Sequence, residues 1–329
     1  MAKPLLLITG ATGKVGRHFL RAALNDSKLE DYRFRALCHK RTLPVHDRVE
    51  TVNGSISDRG LVQQAMRDVT HVVHLATCKE SPEDVMDVTV KGLFWLLEEA
   101  RISDRFQQFL LIGGDACVGH FHYPHRKPVT DAQPHSPCPG CYALSKVLEE
   151  VLLEQYYLPY KLNGCCLRAP WIMEKDDFKH QLSFGPDVFG APVWSTYIDK
   201  ATARGYADTQ TVPVMLDPEG HPVKRNFVHV RDLVSAILCA IDHPRGRQQL
   251  FNISMDAPID YQELANYLQE TRGFPQVPIA TEYHSTWLDN SKAKHLLGWK
   301  PSFTMQSMAD EAFDYVREPD DPRVIHYPG

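Results

Sequence analysis

The sequence predicts an α/β fold in which a doubly wound parallel sheet carries a smaller C-terminal lobe. Short apolar segments alternate with helical patterns through the first half of the 329 residues, and this alternation favours parallel strands joined by right-handed crossovers. The first apolar segment runs directly into a glycine-rich turn and a helical pattern. The alternation stops after Arg168 and resumes near Asn226, which indicates a second lobe.

Strand and helix signals follow one another in the first half of the chain. The candidate strands are short runs rich in apolar residues, whereas the candidate helices are longer and amphipathic. We predict strands at 5–9, 33–39, 49–53, 71–76, 109–112 and 162–167. We predict helices at 15–24, 58–67, 83–100 and 142–156. This order of elements is typical of a doubly wound sheet.

The second half begins with an irregular segment, 171–224, that is rich in proline, glycine and aromatic residues. Beyond it we predict strands at 226–230 and 250–253, and helices at 232–241, 261–271, 291–297 and 305–316. We therefore expect one domain at 1–170, to which 225–256 returns, and a second lobe formed by 171–224 and 257–329.

Charge and hydropathy indicate which partners and which cellular compartment to expect. The formal net charge of −5 gives no indication of a nucleic-acid or anionic membrane surface. The apolar run at 5–8 is too short for a signal peptide, and no stretch approaches the roughly 20 apolar residues that span a bilayer. We therefore expect a cytoplasmic protein with reduced cysteines and with neither a membrane nor a nucleic-acid partner.

A glycine motif at 10–16 connects the first predicted strand to the first helix. In that context it predicts a dinucleotide-binding Rossmann loop rather than a glycine-rich turn without a ligand. Gly10 permits the turn, Gly13 lets the backbone approach a pyrophosphate, and Gly16 lets the helix pack closely. Free N–H groups at the start of the helix favour phosphate. The cofactor residues expected here are Gly10, Thr12, Gly13, Lys14, Val15 and Gly16.

The end of the second strand bears on which nicotinamide cofactor binds. A carboxylate at this point usually binds the ribose 2′-hydroxyl of NAD, but this strand is followed by His39, Lys40 and Arg41. His39 and Arg41 could accept a 2′-phosphate. NADP is therefore favoured and NAD is the alternative. The basic residues could equally be solvated surface charges.

Tyr142 and Lys146 are candidate catalytic residues. Their spacing of four positions places both side chains on one face of a predicted helix. A nearby ammonium favours the phenolate form of a tyrosine, and such a phenol can exchange a proton with a substrate hydroxyl or carbonyl. A Tyr-x-x-x-Lys sequence alone is weak, but it gains weight when it follows a Rossmann loop in the same chain.

In these motifs the chain resembles the extended short-chain dehydrogenase/reductase family, specifically the NAD-dependent epimerase/dehydratase group. The matching segments are 10–16, 74–76, 142–146, 167–168, 227–232, 251–252 and 297–301. The resemblance implies that Tyr142 is the acid/base and that Lys146 holds the nicotinamide ribose. It also implies cofactor contacts from Ser55, Ile56, Leu75, Ala76, Thr77 and Ala169.

The chain departs from that family after the fifth strand. Gly114 stands where the family usually has a Ser or Thr that hydrogen-bonds the reacting oxygen, and losing such a donor costs a few kcal/mol of transition-state stabilisation. Asp115 matches an acidic position of sugar-nucleotide dehydratases, but Ala116 replaces the glutamate beside it. This disfavours dehydration. Asp115 is either part of the catalytic and substrate site or only a turn residue.

The residues expected on the substrate side of the site match the family only in part. By resemblance, Arg225 matches an arginine that clamps the diphosphate of a nucleotide-sugar, whereas Trp171 replaces a frequent asparagine with the same task. The aromatic residues that follow could line a substrate pocket or could equally form the core of the smaller lobe. They are Phe178, Phe184, Phe189, Trp194 and Tyr197.

These observations predict an NAD(P)-dependent oxidoreductase or epimerase that acts on a sugar, sugar acid or nucleotide-sugar. Two alternatives stay open: a reductase of a bulkier aromatic or terpenoid carbonyl, and an NADP-binding redox sensor without turnover. Cys138 and Cys141 form a Cys-x-x-Cys motif, which can be a redox pair or half of a zinc site, and His120, His122, His125 and His135 lie nearby in sequence. Cysteines at the start of a helix are often only small, partly buried residues, so no metal is expected. The expected partner is a small carbohydrate-like molecule, and a homodimer is compatible with the sequence.

Overall fold

The computed structural model describes residues 3–321 and 323. Positions 1–2, 322 and 324–329 belong to the predicted domain ranges but lie outside the described residues. No helix in the described part of the chain combines the length and the apolar character needed to cross a bilayer.

The elements follow the predicted order with shifted ends. The strands are β1 Leu5–Thr9, β2 Arg33–Cys38, β3 Val49–Asn53, β4 His71–His74, β5 Gln108–Gly114, β6 Gly164–Ala169, β7 Trp171–Met173, β8 Val212–Leu216, β9 Lys224–Arg225, β10 Phe227–His229, β11 Gln249–Asn252, β12 Ile259–Asp260 and β13 Gln276–Ala280. The helices are α1 Lys14–Asn25, α2 Arg59–Met66, α3 Gly92–Ile102, α4 Cys141–Gln155, α5 Tyr157–Tyr160, α6 Asp177–Gln181, α7 Lys200–Asp208, α8 Val230–Ala240, α9 Tyr261–Arg272, α10 Ser291–Leu297 and α11 Met305–Asp314.

The central sheet has seven strands in the order β3-β2-β1-β4-β5-β6-β11. All of its neighbouring pairs are parallel. The doubly wound Rossmann prediction is therefore confirmed. The strand order reverses between β1 and β4, and ligands of such sheets bind at the carboxyl ends of the strands beside this switch point.

Alternate residues of each strand pack on opposite faces of the sheet, as the two-residue period of a strand requires. Leu6 and Ile8 of β1 join a buried core with residues of α1 and α8. Leu5 and Leu7 point to the other face and join a core with residues of α2, α3 and α4. The first strand is therefore apolar from Leu5 to Ile8 because helices cover both of its faces.

Three predicted elements differ from the structure. The strand predicted at 226–230 is β10, which pairs with β7 outside the central sheet. The helix predicted at 83–100 begins with a π-helical segment, Met86–Lys91, before α3. The segment 171–224, which looked irregular in sequence, contains the regular elements β7, α6, α7 and β8. Its strands pair with later parts of the chain, and local periodicity does not reveal such pairings.

A separate apolar core lies in the smaller lobe, where β8 pairs with β13. Phe178, Phe184 and Trp194 are buried in this core together with Tyr261 of α9. These three aromatic residues therefore pack as ordinary core of the smaller lobe, which was one of the two interpretations of the sequence.

A buried ion pair anchors α4 to the sheet. Arg168 of β6 donates from Nε and Nη2 to the two carboxylate oxygens of Glu150, at 2.9 and 2.7 Å. His135 contacts the same carboxylate at 2.8 Å. Burial opposes the charged carboxylate, but the bonds from Arg168 and His135 outweigh burial and lower the pKa of Glu150 to about 2. The carboxylate is therefore ionised and fully partnered at neutral pH.

The start of α1 packs directly on the loop that precedes it. A Cβ atom added at Gly16 would lie 2.3 Å from the Gly10 carbonyl oxygen and 2.6 Å from the Ala11 Cα. Because those atoms are backbone, they cannot rotate away. The third glycine of the motif is thus required by packing, as the sequence predicted.

We expect Gly16→Ala to destabilise the protein by at least about 1–3 kcal/mol through overpacking. Gly205→Ala is the matched control, because Gly205 also lies in a helix but has no atom within 4 Å of an added Cβ. There the better helix propensity of alanine should stabilise by about 0.5–1 kcal/mol. Urea unfolding measures both, and equal unfolding free energies for the two variants would contradict the packing argument.

Candidate active site

A cavity of about 710 Å³ opens at the carboxyl ends of the central strands. Residues that follow or end β1, β4, β5 and β6 line it, because parallel strands present their carboxyl ends along one edge of the sheet. The cavity brings together all but one of the site residues predicted from sequence. Those lining it are Gly10, Thr12, Gly13, Lys14, Val15, Gly16, His39, Arg41, Ser55, Ile56, Leu75, Ala76, Thr77, Gly114, Asp115, Tyr142, Lys146, Ala169 and Trp171.

The glycine loop forms a cradle for an anionic group. Gly10 has a φ of +66°, and a Cβ there would lie 2.8 Å from the Ala76 nitrogen. Helix α1 starts without a side-chain cap and without an acidic residue in its first turn. Its first N–H groups, together with the helix dipole, therefore suit a phosphate. The loop fits the pyrophosphate of a dinucleotide.

Lys14 belongs to this loop, but its ammonium points toward the smaller lobe. Its Nζ lies 2.5 Å from an oxygen of Asp177 and donates to the Ile172 carbonyl at 3.0 Å. Both charged side chains are largely buried. The side chain thus connects the loop to α6, and this leaves the backbone of Lys14 as the part suited to a phosphate.

Helix α4 receives its N-terminal cap from a distant loop. Glu80 accepts hydrogen bonds from the backbone N–H groups of Cys141 and Tyr142, each at 3.0 Å. A carboxylate at this position satisfies two orphan donors and complements the helix dipole. Gly140 precedes the helix with a φ of +113° and leaves space for this carboxylate. Sequence analysis missed Glu80, which lies 61 positions before Cys141.

Two ammonium groups face the ring of Tyr142. The Nζ of Lys146 lies 5.6 Å from the ring centre, and that of Lys79 lies 4.2 Å from it. Tyr142 and both lysines line the cavity. Lys79 was not predicted, and it makes no ion pair within the described part of the chain. The ring of Tyr142 is therefore near two cationic side chains inside the cavity.

Lys146 is paired with a carboxylate that sequence analysis also missed. Its Nζ lies 2.7 Å from Glu149 Oε2, and the exposed fractions of the two side chains are 4% and 1%. Burial opposes the charged lysine, but Glu149 and Tyr142 outweigh burial and hold the pKa of Lys146 above its ordinary value. Lys146 is therefore a charged group whose field at Tyr142 is partly cancelled by Glu149.

Gly114 leaves an open position beside Tyr142. A Cβ added there would lie 3.5 Å from the Tyr142 hydroxyl oxygen and 3.5 Å from carbons of Lys146. These are ordinary contact distances, so a serine would fit. Gly114 itself offers no hydroxyl, which matches the departure noted in the sequence.

Asp115 is buried and tied to a histidine. Its Oδ2 lies 2.5 Å from His120 Nδ1, and the Nε group of Arg225 donates to His120 Nε2 at 3.1 Å. Burial and the Arg225 charge lower the pKa of His120, to about 4, although Asp115 acts in the opposite direction. The imidazole is neutral at neutral pH. With Nε2 as the acceptor, its proton lies on Nδ1 and faces Asp115.

Arg225 is the predicted site residue that the structure does not bring to the cavity. Its side chain is fully buried, and its Nη1 donates to the Ala191 carbonyl at 2.6 Å. Phe121 and Trp171 line the cavity and lie against the guanidinium, with ring centres 4.1 and 5.2 Å from its carbon. The arginine therefore lies one layer behind the cavity wall. Its position depends on these aromatic neighbours, which the motif around Arg225 does not reveal.

Among the described residues, neither Cys138 nor Cys141 belongs to a cluster of metal-ligating groups. Cys138 lines the cavity, and Cys141 donates from its thiol to Glu80 at 3.0 Å. A different group, Cys117 with His135 and Glu150, has metal-ligating atoms in proximity. In that group, however, Arg168 already contacts both oxygens of Glu150.

Comparison with known proteins gives a family and a fold. The sequence profile of the family described as the NAD dependent epimerase/dehydratase family matches residues 6–254. A UDP-glucose 4-epimerase of Mycolicibacterium smegmatis is 26% identical over 334 residues, which cover 94% of this chain and 98% of that relative.

Two solved structures illustrate the shared fold. A short-chain dehydrogenase/reductase superfamily protein from Agrobacterium tumefaciens with bound NAD has a TM-score of 0.75 at 23% identity, over 94% of this chain and 95% of its own. The UDP-glucuronic acid 4-epimerase from Bacillus cereus, in complex with UDP-glucuronic acid and NAD, has a TM-score of 0.72 at 17% identity, over 94% of this chain and 98% of its own.

The Lys146–Glu149 pair can be tested by unfolding alone. Glu149→Gln keeps the shape of the side chain but leaves a buried ammonium unpaired, and we expect a loss of about 3–5 kcal/mol in the free energy of unfolding. Glu154→Gln on the exposed side of the same helix is the control and should change stability by less than about 0.5 kcal/mol. Denaturant titration compares them. Equal stabilities would show that the pair contributes nothing to the fold.

Proposed function

The chain belongs to the NAD dependent epimerase/dehydratase family, and from this membership we propose that it is a nicotinamide-dependent oxidoreductase or epimerase of a carbohydrate-like substrate. The observation that carries the proposal is the position of Tyr142 in the same cavity as the glycine loop. The Tyr142 hydroxyl makes no hydrogen bond to the described residues, so it is free to meet a substrate oxygen.

In this proposal, Tyr142 takes the proton of a substrate hydroxyl, or returns it to a carbonyl, at the phenol oxygen. Lys146 lies near the Tyr142 ring and is expected to hold the nicotinamide ribose. When bound, the nicotinamide supplies hydride transfer. Asp115 follows Gly114 and lines the same cavity, so it is the polar side chain we propose to contact the substrate on this side. Ala116 also lines the cavity and carries no carboxylate, so the proposal does not extend to dehydration.

For the cofactor we propose a preference for NADP. His39 and Arg41 line the cavity beyond the end of β2, and both are exposed. The acidic residues lining the cavity are Glu80 and Asp115. Glu80 caps α4 and Asp115 follows β5 rather than β2, so neither stands at the end of the second strand, where a carboxylate binds a ribose 2′-hydroxyl. Arg41 can instead form charge-assisted hydrogen bonds with a 2′-phosphate.

Arg41→Ala should weaken NADP binding by about ten-fold or more, because a hydrogen bond to a charged group contributes about 1.5–3 kcal/mol. NAD binding should be unchanged. Lys40→Ala is the matched control, since Lys40 is an exposed neighbour that does not line the cavity. Calorimetric dissociation constants give the result. An NAD affinity of the wild-type protein equal to or tighter than its NADP affinity would contradict the preference.

Tyr142→Phe tests the proposed reaction directly. The ring stays and the proton-carrying hydroxyl is lost, so turnover should fall by about 10²–10⁴-fold while the dinucleotide still binds. Tyr160→Phe, on an exposed tyrosine of α5, should have no effect. The assay follows nicotinamide absorbance and substrate isomerisation with a panel of sugars, sugar acids and nucleotide-sugars. Full activity of Tyr142→Phe would rule out the proposed chemistry, and dinucleotide binding without any turnover would favour a sensor.

A further inference from the structure

Arg225, the arginine expected to hold a nucleotide diphosphate, is buried and makes hydrogen bonds within the protein. Arg225 donates to His120 at 3.1 Å and to the Ala191 carbonyl at 2.6 Å, and its side chain is fully buried. Its Nη2 group has no hydrogen-bond partner among the described residues, and Arg225 does not belong to the cavity lining. A phosphate could reach the guanidinium only if the aromatic wall in front of it moved.

That wall is itself held in place. Trp171 stands edge-on to Phe189 with 5.6 Å between ring centres. Gly190, with a φ of +85°, approaches the indole so closely that a Cβ there would lie 2.4 Å from a ring carbon. Phe121 packs against Tyr283 at 4.1 Å between ring centres. Packed aromatic groups of this kind do not shift without a cost in packing energy.

Few cations are left in the cavity to bind phosphates. Lys14 is paired with Asp177 and Lys146 is paired with Glu149. Arg41 follows β2, which lies on the far side of β1 from β4 and β5. Lys79 is therefore the uncommitted cation of the described cavity lining on the Tyr142 side.

Lys79 is well placed to bind a single acid group close to the reacting carbon. Its Nζ lies 4.2 Å from the ring centre of Tyr142. The neighbouring Glu80 does not compete for it as an ion-pair partner, because the Glu80 carboxylate accepts from the two N–H groups at the start of α4. A carboxylate on the substrate would thus meet one cation, and hydroxyl groups could meet Asp115 and His122, which also line the cavity.

We propose that the substrate is a nucleotide-free sugar acid, a polyhydroxylated carboxylate whose acid group binds Lys79. This inference rests on the proposed function and narrows its substrate class. In the oxidative direction, the carbon bearing the reacting hydroxyl gives a hydride to the oxidised nicotinamide, and the hydroxyl gives its proton to Tyr142. A carbon–oxygen double bond forms. The carboxylate is unchanged, and no further reactant is needed.

The test has a binding arm and a turnover arm. Calorimetry with UDP and with dTDP, in the presence of saturating dinucleotide, should give no saturable binding. Glucuronate and galacturonate should be oxidised with kcat/KM at least about ten-fold above glucose and galactose, because a charge-assisted contact is lost with the neutral sugars. Lys79→Met should raise KM for the acids by about ten-fold and leave the dinucleotide affinity unchanged. Lys127→Met, an exposed lysine outside the cavity lining, is the control.

Saturable binding of UDP or dTDP would overturn the inference, and loss of that binding in Arg225→Lys would show that the guanidinium is reachable. Equal kcat/KM for acids and neutral sugars, or an unchanged KM in Lys79→Met, would also overturn it, as would a lack of turnover with both acids. The proposed function fails separately, through absent dinucleotide binding or through Tyr142→Phe retaining full activity on whichever substrate in the panel is turned over.

Discussion

The buried pair of Glu150 and Arg168 is the interaction on which the site depends. It attaches α4 to β6 with both carboxylate oxygens engaged, and α4 carries Tyr142, Lys146 and Glu149. Removing one partner of such a pair leaves an uncompensated buried charge. The distance between the proposed proton carrier and the strand ends is therefore set by an ion pair that does not itself line the cavity.

The same helix also sets the electrostatics of the cavity. Glu80 caps its first N–H groups, Lys146 lies one turn below Tyr142, and Glu149 neutralises much of the lysine charge. With Lys79 above the ring, the phenol lies between a paired cation and a free one. A substrate with a single negative charge near its reacting carbon balances this arrangement better than a nucleotide diphosphate does.

The sequence predicts those parts of the site that depend on residues close to one another in the chain. The loop at 10–16 has a required spacing between strand and helix, and Tyr142 and Lys146 share one helix face. Glu80 could not be found this way, because it meets α4 from a loop 61 positions earlier. The burial of Arg225 depends on Phe121 and Trp171, which are distant in sequence, so its motif suggested an exposed clamp. The doubly wound parallel sheet was predictable from the alternation of strands and helices, whereas the pairing of β7 with β10 was not.

A crystal structure of the complex with NADP would show directly whether the cavity holds the dinucleotide against Tyr142. We expect the pyrophosphate to lie against the N–H groups of residues 13–16, and the nicotinamide to lie beside the Tyr142 hydroxyl with Lys146 reaching the adjoining ribose. A dinucleotide bound outside this cavity, or a nicotinamide ring remote from the Tyr142 hydroxyl, would contradict this expectation.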